Sequence, residues 1–107
     1  MLKLDRLRFG TAGIPIKAKG TGMLDGIKIV RELGLDALEM EFVQQIYLKE
    51  DKTDAVKKVA NEKDVILTCH GPYYINLNSS DNKVLDASIN RIYNSAKITY
   101  LSGGYSC

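Results

Sequence analysis

His70 is the one histidine of the 107 residues, and its neighbours suit a side chain delivered to a site. The run Val65-Ile-Leu-Thr-Cys69 before it is short, apolar and rich in β-branched residues. Gly71-Pro72 breaks that run at once, and Tyr73 and Tyr74 follow. A buried parallel strand that ends this way hands its last side chain to a loop at its C-terminal end, where α/β proteins assemble their sites. A neutral imidazole there can ligate zinc or move a proton. The plainer alternative is a histidine hydrogen-bonded at a strand end. Tyr73 and Tyr74 can stack on a base or a sugar, or fill the space that a flipped nucleotide leaves. Equally, one can pack on the rim of the fold while the other covers a helix end.

Two carboxylates add to this set. Glu39 and Glu41 alternate with Leu38, Met40 and Phe42, and a period of two puts both on one side of a strand. On the inside of a barrel, Glu41 near the strand's C-terminal end could reach a metal or a general-acid position. On a helix-facing side both would simply be paired, and Glu39 is the weaker candidate because it sits deeper. The loop Gly10–Gly22 carries four glycines besides Lys17 and Lys19 and leads into a helical pattern. It matches neither G-x-x-x-x-G-K-[ST] nor G-x-G-x-x-G, so nucleotide hydrolysis by a P-loop is excluded, although a lysine there could contact phosphate. Cys69 adjoins His70, but neighbours on a strand point to opposite faces, which argues against a thiol–imidazole couple. With Cys107 it forms no C-x-x-C motif, and a structural disulfide is not expected.

Three strand candidates must position these side chains: Leu7–Gly10, Asp36–Phe42 and Val65–Cys69, whose starts are 29 residues apart. Each is followed by a loop and a helical pattern, the rhythm of repeated βα units around a parallel sheet. The first helix is predicted over Met23–Leu33, with Thr21 as N-cap, Gly34 just past its end, and Met23, Ile27 and Val30 on one face. The second spans about Thr53–Lys63, with Val56, Val59 and Ala60 as its stripe. The third follows Ser79-Ser80 and runs to about Leu101, with Leu85, Ile89, Ile92, Ala96 and Tyr100 at steps of three and four. Tyr105–Cys107 looks like the opening of a fourth strand. Three and a half such units cannot close a cylinder, and an eight-unit barrel needs roughly 250 residues. Residues 1–107 are therefore read as a single α/β unit, the N-terminal three to four βα units of a (β/α)8 barrel. A small open parallel α/β sheet is the alternative.

Net charge is only +2, too small by itself to imply nucleic acid. Its distribution is uneven: residues 32–51 hold six acidic side chains and one basic, whereas 1–31 hold seven basic and two acidic. No apolar run approaches a membrane span, and the alternating Met1–Arg8 segment is not a signal peptide, so a cytoplasmic protein without membrane partners is expected.

The stretch His70-Gly-Pro-Tyr73-Tyr74-Ile-Asn-Leu77 resembles the His-x-x-Tyr-hydrophobic-Ile-Asn-Leu pattern of the endonuclease IV family, the zinc-dependent AP endonucleases among the xylose isomerase-like TIM barrels. Arg8-Phe-Gly-Thr-Ala-Gly-Ile-Pro15 and Gly34-Leu-Asp-Ala-Leu38 are similar to the same family. The resemblance spans the whole chain but only about the first 40% of a barrel of that size. It implies a hydrolase that cleaves the phosphodiester 5′ to abasic sites in DNA repair, with up to three zinc ions at the mouth of a complete barrel. His70 then becomes a zinc ligand, and Tyr73 and Tyr74 match the pair that enters abasic DNA and holds the lesion out of the stack. Where better-known members carry an arginine in the loop after the second strand, this chain has Val43-Gln44-Gln45-Ile46, which leaves Gln44 as the DNA-contacting candidate. The family's other zinc ligands lie beyond residue 107, so this chain alone is expected to be inactive. A complementing C-terminal barrel segment, or self-association, would then be needed. A sugar isomerase or epimerase of the same superfamily, binding its sugar through His70 and Glu41, is the alternative enzyme. A non-catalytic, self-associating half-barrel is the alternative outside catalysis.

Overall fold

The computed structural model describes residues 4–18 and 20–107. The chain alternates β1 (Gly10–Ala12), α1 (Met23–Glu32), β2 (Ala37–Glu41), α2 (Thr53–Lys63), β3 (Ile66–His70) and α3 (Asn82–Leu101), with 3-10 turns at Ile16–Ala18 and Glu50–Lys52. The strands form one parallel sheet in the order β1-β2-β3. The expected βα rhythm is therefore present, and no helix among the described residues is long and apolar enough to cross a membrane.

Period two sorts the sheet into two unlike faces. Leu38, Met40 and Leu67 point with Phe42 into a core closed by Ile27 and Val30 of α1 and Val56 of α2. Glu39 and Glu41 point the other way, in register with Thr68 and His70 of β3. All three helices pack on the apolar side. A doubly wound sheet would put helices on both faces, whereas a parallel sheet with helices on one face only is the wall of a barrel.

The helix ends follow local chemistry. After α1 the Leu35 N–H donates to Val30 O at 3.0 Å and the Gly34 N–H to Arg31 O at 3.0 Å, which satisfies the last carbonyls. The expected N-cap differs: Gly22 holds that place with no side-chain cap, and Thr21 Oγ1 instead donates to Ala18 O at 2.6 Å. α2 stops at Asp64, a left-handed residue at φ 53°. That conformation is held by Arg6 and Arg8, which reach the Asp64 carboxylate at 2.8 and 2.9 Å. Hydrogen bonds from the two guanidiniums keep the carboxyl below its ordinary range. This cluster lies at the N-terminal ends of the strands, the end of a barrel that serves stability.

The first strand starts later than the apolar spacing suggested. Leu7 and Phe9 are exposed, and pairing begins at Gly10 opposite Ala37. Glycine is required there: a Cβ on Gly10 would stand 1.8 Å from Ala37 O and 2.3 Å from its carbonyl carbon. Gly10→Ala must push β1 off β2. It is expected to cost about 2 kcal/mol, read as a lower urea midpoint with an unchanged slope.

The third helix carries the largest correction. Its buried face is Ser88, Ser95, Ile98 and Thr99, while much of the predicted stripe faces outward, with Ile89 50% and Tyr100 71% exposed. Small hydroxyl residues let the helix lie close on β3. Two of their groups turn back on the helix, Ser88 Oγ to Val84 O at 2.8 Å and Thr99 Oγ1 to Ser95 O at 2.7 Å. Periodicity finds an apolar face but cannot say what covers it. Beyond α3 no regular strand forms, yet Tyr105 and Ser106 lie along β3. The Tyr105 N–H donates to Leu67 O at 2.9 Å, and Ser106 O accepts from the Cys69 N–H at 2.8 Å.

Candidate functional site

β2 and β3 end level with each other, which sets Glu41 beside His70 in register. The Phe42 N–H donates to His70 O at 2.9 Å, extending the ladder one step past the strands and fixing the backbone under the imidazole. His70 Nδ1 lies 2.9 Å from Gly71 O. A carbonyl only accepts, so in the neutral ring the proton sits on Nδ1 and Nε2 keeps its lone pair. Histidines that ligate metals through Nε2 are oriented by such a contact.

The Tyr73 ring meets His70 edge-on, with centroids 5.4 Å apart at 87°. Its N–H donates to Val43 O at 2.9 Å, which ties the loop after β3 to the loop after β2 and brings exposed Gln44 to the same end of the sheet. Tyr73 and Tyr74 are 68% and 61% exposed, and Arg91 of α3 holds the Tyr74 carbonyl at 2.8 Å. His70, Tyr73, Tyr74, Gln44 and Glu41 thus gather at the C-terminal ends of the strands.

Glu39, the weaker candidate by depth, places its carboxyl close enough to that of Glu41 for a hydrogen bond when one of the two is protonated. Burial first, then this hydrogen bond and the Glu39 charge, raise the Glu41 pKa, while His70 opposes the shift. Two carboxylates so close favour a shared proton. The loop after β1 closes over them: the Gly13 N–H donates to Glu39 O at 2.8 Å. Gly13 has φ 86°, and a Cβ there would stand 3.1 Å from Glu41 Cγ. A carboxyl whose folded pKa is raised costs stability above that pKa, and the cost fades as pH falls through it. Glu41→Gln is therefore expected to raise Tm by roughly 1–2 °C at pH 7, a modest gain because the group is partly solvated. The gain closes below the raised pKa, as calorimetry across that range would show.

No motif surrounds Tyr47, so residue spacing does not mark it. Its ring lies edge-on to Phe42, with centroids 5.3 Å apart at 77°. Although the residue is 43% exposed, burial of its remaining surface, with the nearby Glu41 charge, pushes its hydroxyl up to about 12, so it remains a proton donor. Cys69 turns to the helix side, away from His70, and no thiol–imidazole couple forms. Its partner is Cys107, whose thiol donates to Cys69 Sγ at 3.0 Å, and both cysteines are free. Lys17 is exposed on the Ile16–Ala18 turn, and Lys19 lies outside the described residues.

Among the described residues no three His, Cys, Asp or Glu side chains converge to hold a metal ion. His70 Nε2 and the Glu41 carboxylate are donors of the type zinc accepts, but they make an incomplete set. The profile of the xylose isomerase-like TIM barrel family matches residues 27–104. The chain belongs to that family. It is 40% identical over 92 residues to an uncharacterized protein of Methanocaldococcus jannaschii, a match that takes in 86% of this chain and 32% of that protein.

Two solved structures share the fold. Endonuclease IV from Thermus thermophilus superposes with a TM-score of 0.73 at 17% identity, over 94% of this chain and 39% of that one. D-psicose 3-epimerase from Clostridium cellulolyticum, solved with D-tagatose, gives 0.66 at 24% identity, over 77% and 29%. At these identities the likeness is one of fold. The chain spans about a third of the length of the relatives it matches.

Proposed function

We propose that this chain is the N-terminal portion of a zinc-dependent AP endonuclease, hydrolysing the phosphodiester 5′ to abasic sites in cytoplasmic DNA repair. The observation that carries this reading is His70, with Nδ1 held on Gly71 O, Nε2 open, and two exposed tyrosines on the loop it begins. Zinc, when bound, supplies the Lewis acid for phosphodiester hydrolysis. His70 would hold it through Nε2, and Glu41 would serve as a further ligand or proton acceptor. Tyr73 and Tyr74 hold the abasic nucleotide out of the stack while Gln44 contacts the strand across the loop. The remaining ligands, for up to three ions, come from a complementing C-terminal barrel segment. The bare stripe of α3, with Ile89 and Tyr100 exposed, is the surface on which such a segment, or a second copy, would pack.

A second reading is favoured by the Glu39–Glu41 pair on the sheet's inner face. Adjacent carboxylates suit a metal-assisted sugar isomerase or epimerase, in which hydroxyls of a ketose replace the phosphate. One experiment separates the two. Residues 1–107 are fused to the part of the Methanocaldococcus jannaschii relative they do not cover, and zinc content, nicking of an abasic duplex and epimerisation of D-tagatose are measured. The proposal expects zinc-dependent 5′ nicking by the fusion and none by residues 1–107 alone. Ketose turnover without nicking would establish the second reading. Nicking by the short chain itself would overturn the need for a complementing segment.

A further inference from the structure

We propose that Cys69 and Cys107 form a peroxide-reactive thiol pair that closes to a reversible disulfide, clasping the segment after α3 to β3. The inference does not depend on the proposed hydrolase. The sulfurs are already 3.0 Å apart, and a disulfide needs about 2.05 Å, so each moves by about half an ångström. The backbones are also in place. Ser106 O accepts from the Cys69 N–H at 2.8 Å, which sets the two segments at neighbouring-strand distance, about 4.8 Å, within the span a disulfide bridges.

Exposure assigns the roles. Cys107 is exposed and lines a groove of about 450 Å³ beside α3. Cys69 is buried with the Cys107 sulfur 3.0 Å away, and burial pushes its thiol up to about 12, so Cys107 is the sulfur that reacts first. In the first step the Cys107 sulfur attacks one oxygen of hydrogen peroxide, and the O–O bond breaks. Cys107 becomes a sulfenic acid, and the departing hydroxide leaves as water with the thiol proton. In the second, the Cys69 sulfur attacks the sulfenic sulfur, the S–O bond breaks, and hydroxide departs with the Cys69 proton as a second water. Two thiols lose two electrons and two protons, and one peroxide becomes two waters.

The closed clasp would hold Tyr105–Cys107 at the edge of β3. The Cys107 sulfur lies 3.8 Å from where a Cβ on Gly71 would stand, so the clasp sits against the residue that follows His70. The test uses the 107-residue chain treated with hydrogen peroxide, alkylated under denaturing conditions and weighed intact. Expected are loss of both alkylation sites, a mass lower by two hydrogens, a monomeric band on a non-reducing gel, and full return with dithiothreitol. The oxidised form should melt several degrees higher, because the bridge joins residues 38 apart in sequence. Cys107→Ser, changed at an exposed position, is expected to show no intramolecular product and no rise in Tm. Two alkylatable thiols surviving peroxide that fully oxidises free glutathione would overturn the proposal. So would a disulfide found only between molecules.

Discussion

Replacing His70 with alanine is expected to lower the zinc affinity of the completed barrel at least about 100-fold, more than loss of an outer-shell partner costs, and to remove phosphodiester cleavage with it. Its stability cost in residues 1–107 is expected to stay within about 0.5 kcal/mol. The contrast follows from placement. His70 is exposed at the end of β3, and its backbone carbonyl, which accepts from the Phe42 N–H at 2.9 Å, survives the substitution. Calorimetric zinc titration of the fusion, beside urea unfolding of the short chain, reads both halves. Unchanged zinc affinity would remove His70 from the ligand set. A large loss of stability would make it a structural histidine at a strand end, the plainer alternative its sequence context left open. Tyr73→Ala serves as the companion, because it removes the ring stacked edge-on to His70 without touching a donor atom. It is expected to weaken binding of abasic DNA while sparing zinc.

The parts of the fold that the sequence reveals are those where one local signal acts without competition. β2 alternates glutamates with large apolar residues, and α2 is bounded as its pattern predicts, because burial of one face decides each. β1 begins later than the apolar spacing predicts, because Leu7 and Phe9 mimic a strand while the pairing depends on the missing side chain of Gly10. α3 misled for a related reason. Its apolar stripe is real, but the sheet it rests on selects the hydroxyl face, which allows closer approach. The placement of His70 at the end of β3, with Tyr73 and Tyr74 exposed on the loop that follows, is legible because a strand end and a Gly-Pro break mark it. Tyr47 and the Glu39–Glu41 and Cys69–Cys107 contacts are not. Each depends on how a side chain turns and on the path of the backbone beside it, which residue spacing does not prescribe.

Phe42→Ala is the substitution expected to damage the fold most, at about 3–5 kcal/mol, a large share of the roughly 5–15 kcal/mol that holds a domain of this size. Phe42 is the first residue past β2 and is fully buried in the core that α1 and α2 close over the sheet. Truncation leaves a cavity among Leu38, Met40 and Leu67, whose positions are fixed by the β2–β3 ladder and cannot collapse into it without breaking the pairing of Glu41 with His70. The effect reaches the site through a second route. The Tyr47 ring leans on Phe42 at 5.3 Å, and its hydroxyl is held at about 12 chiefly by burial. Tyr47 is already 43% exposed; without that support it gains further solvent, and its pKa is expected to fall toward that of a free tyrosine. Urea unfolding measures the first effect, and ultraviolet titration of the tyrosines at alkaline pH, under conditions where the variant remains folded, measures the second. A loss of stability with the Tyr47 titration unchanged would mean that the loop after β2 is held by something other than Phe42. Both effects together would make this core phenylalanine the support on which the glutamate–tyrosine side of the site is built.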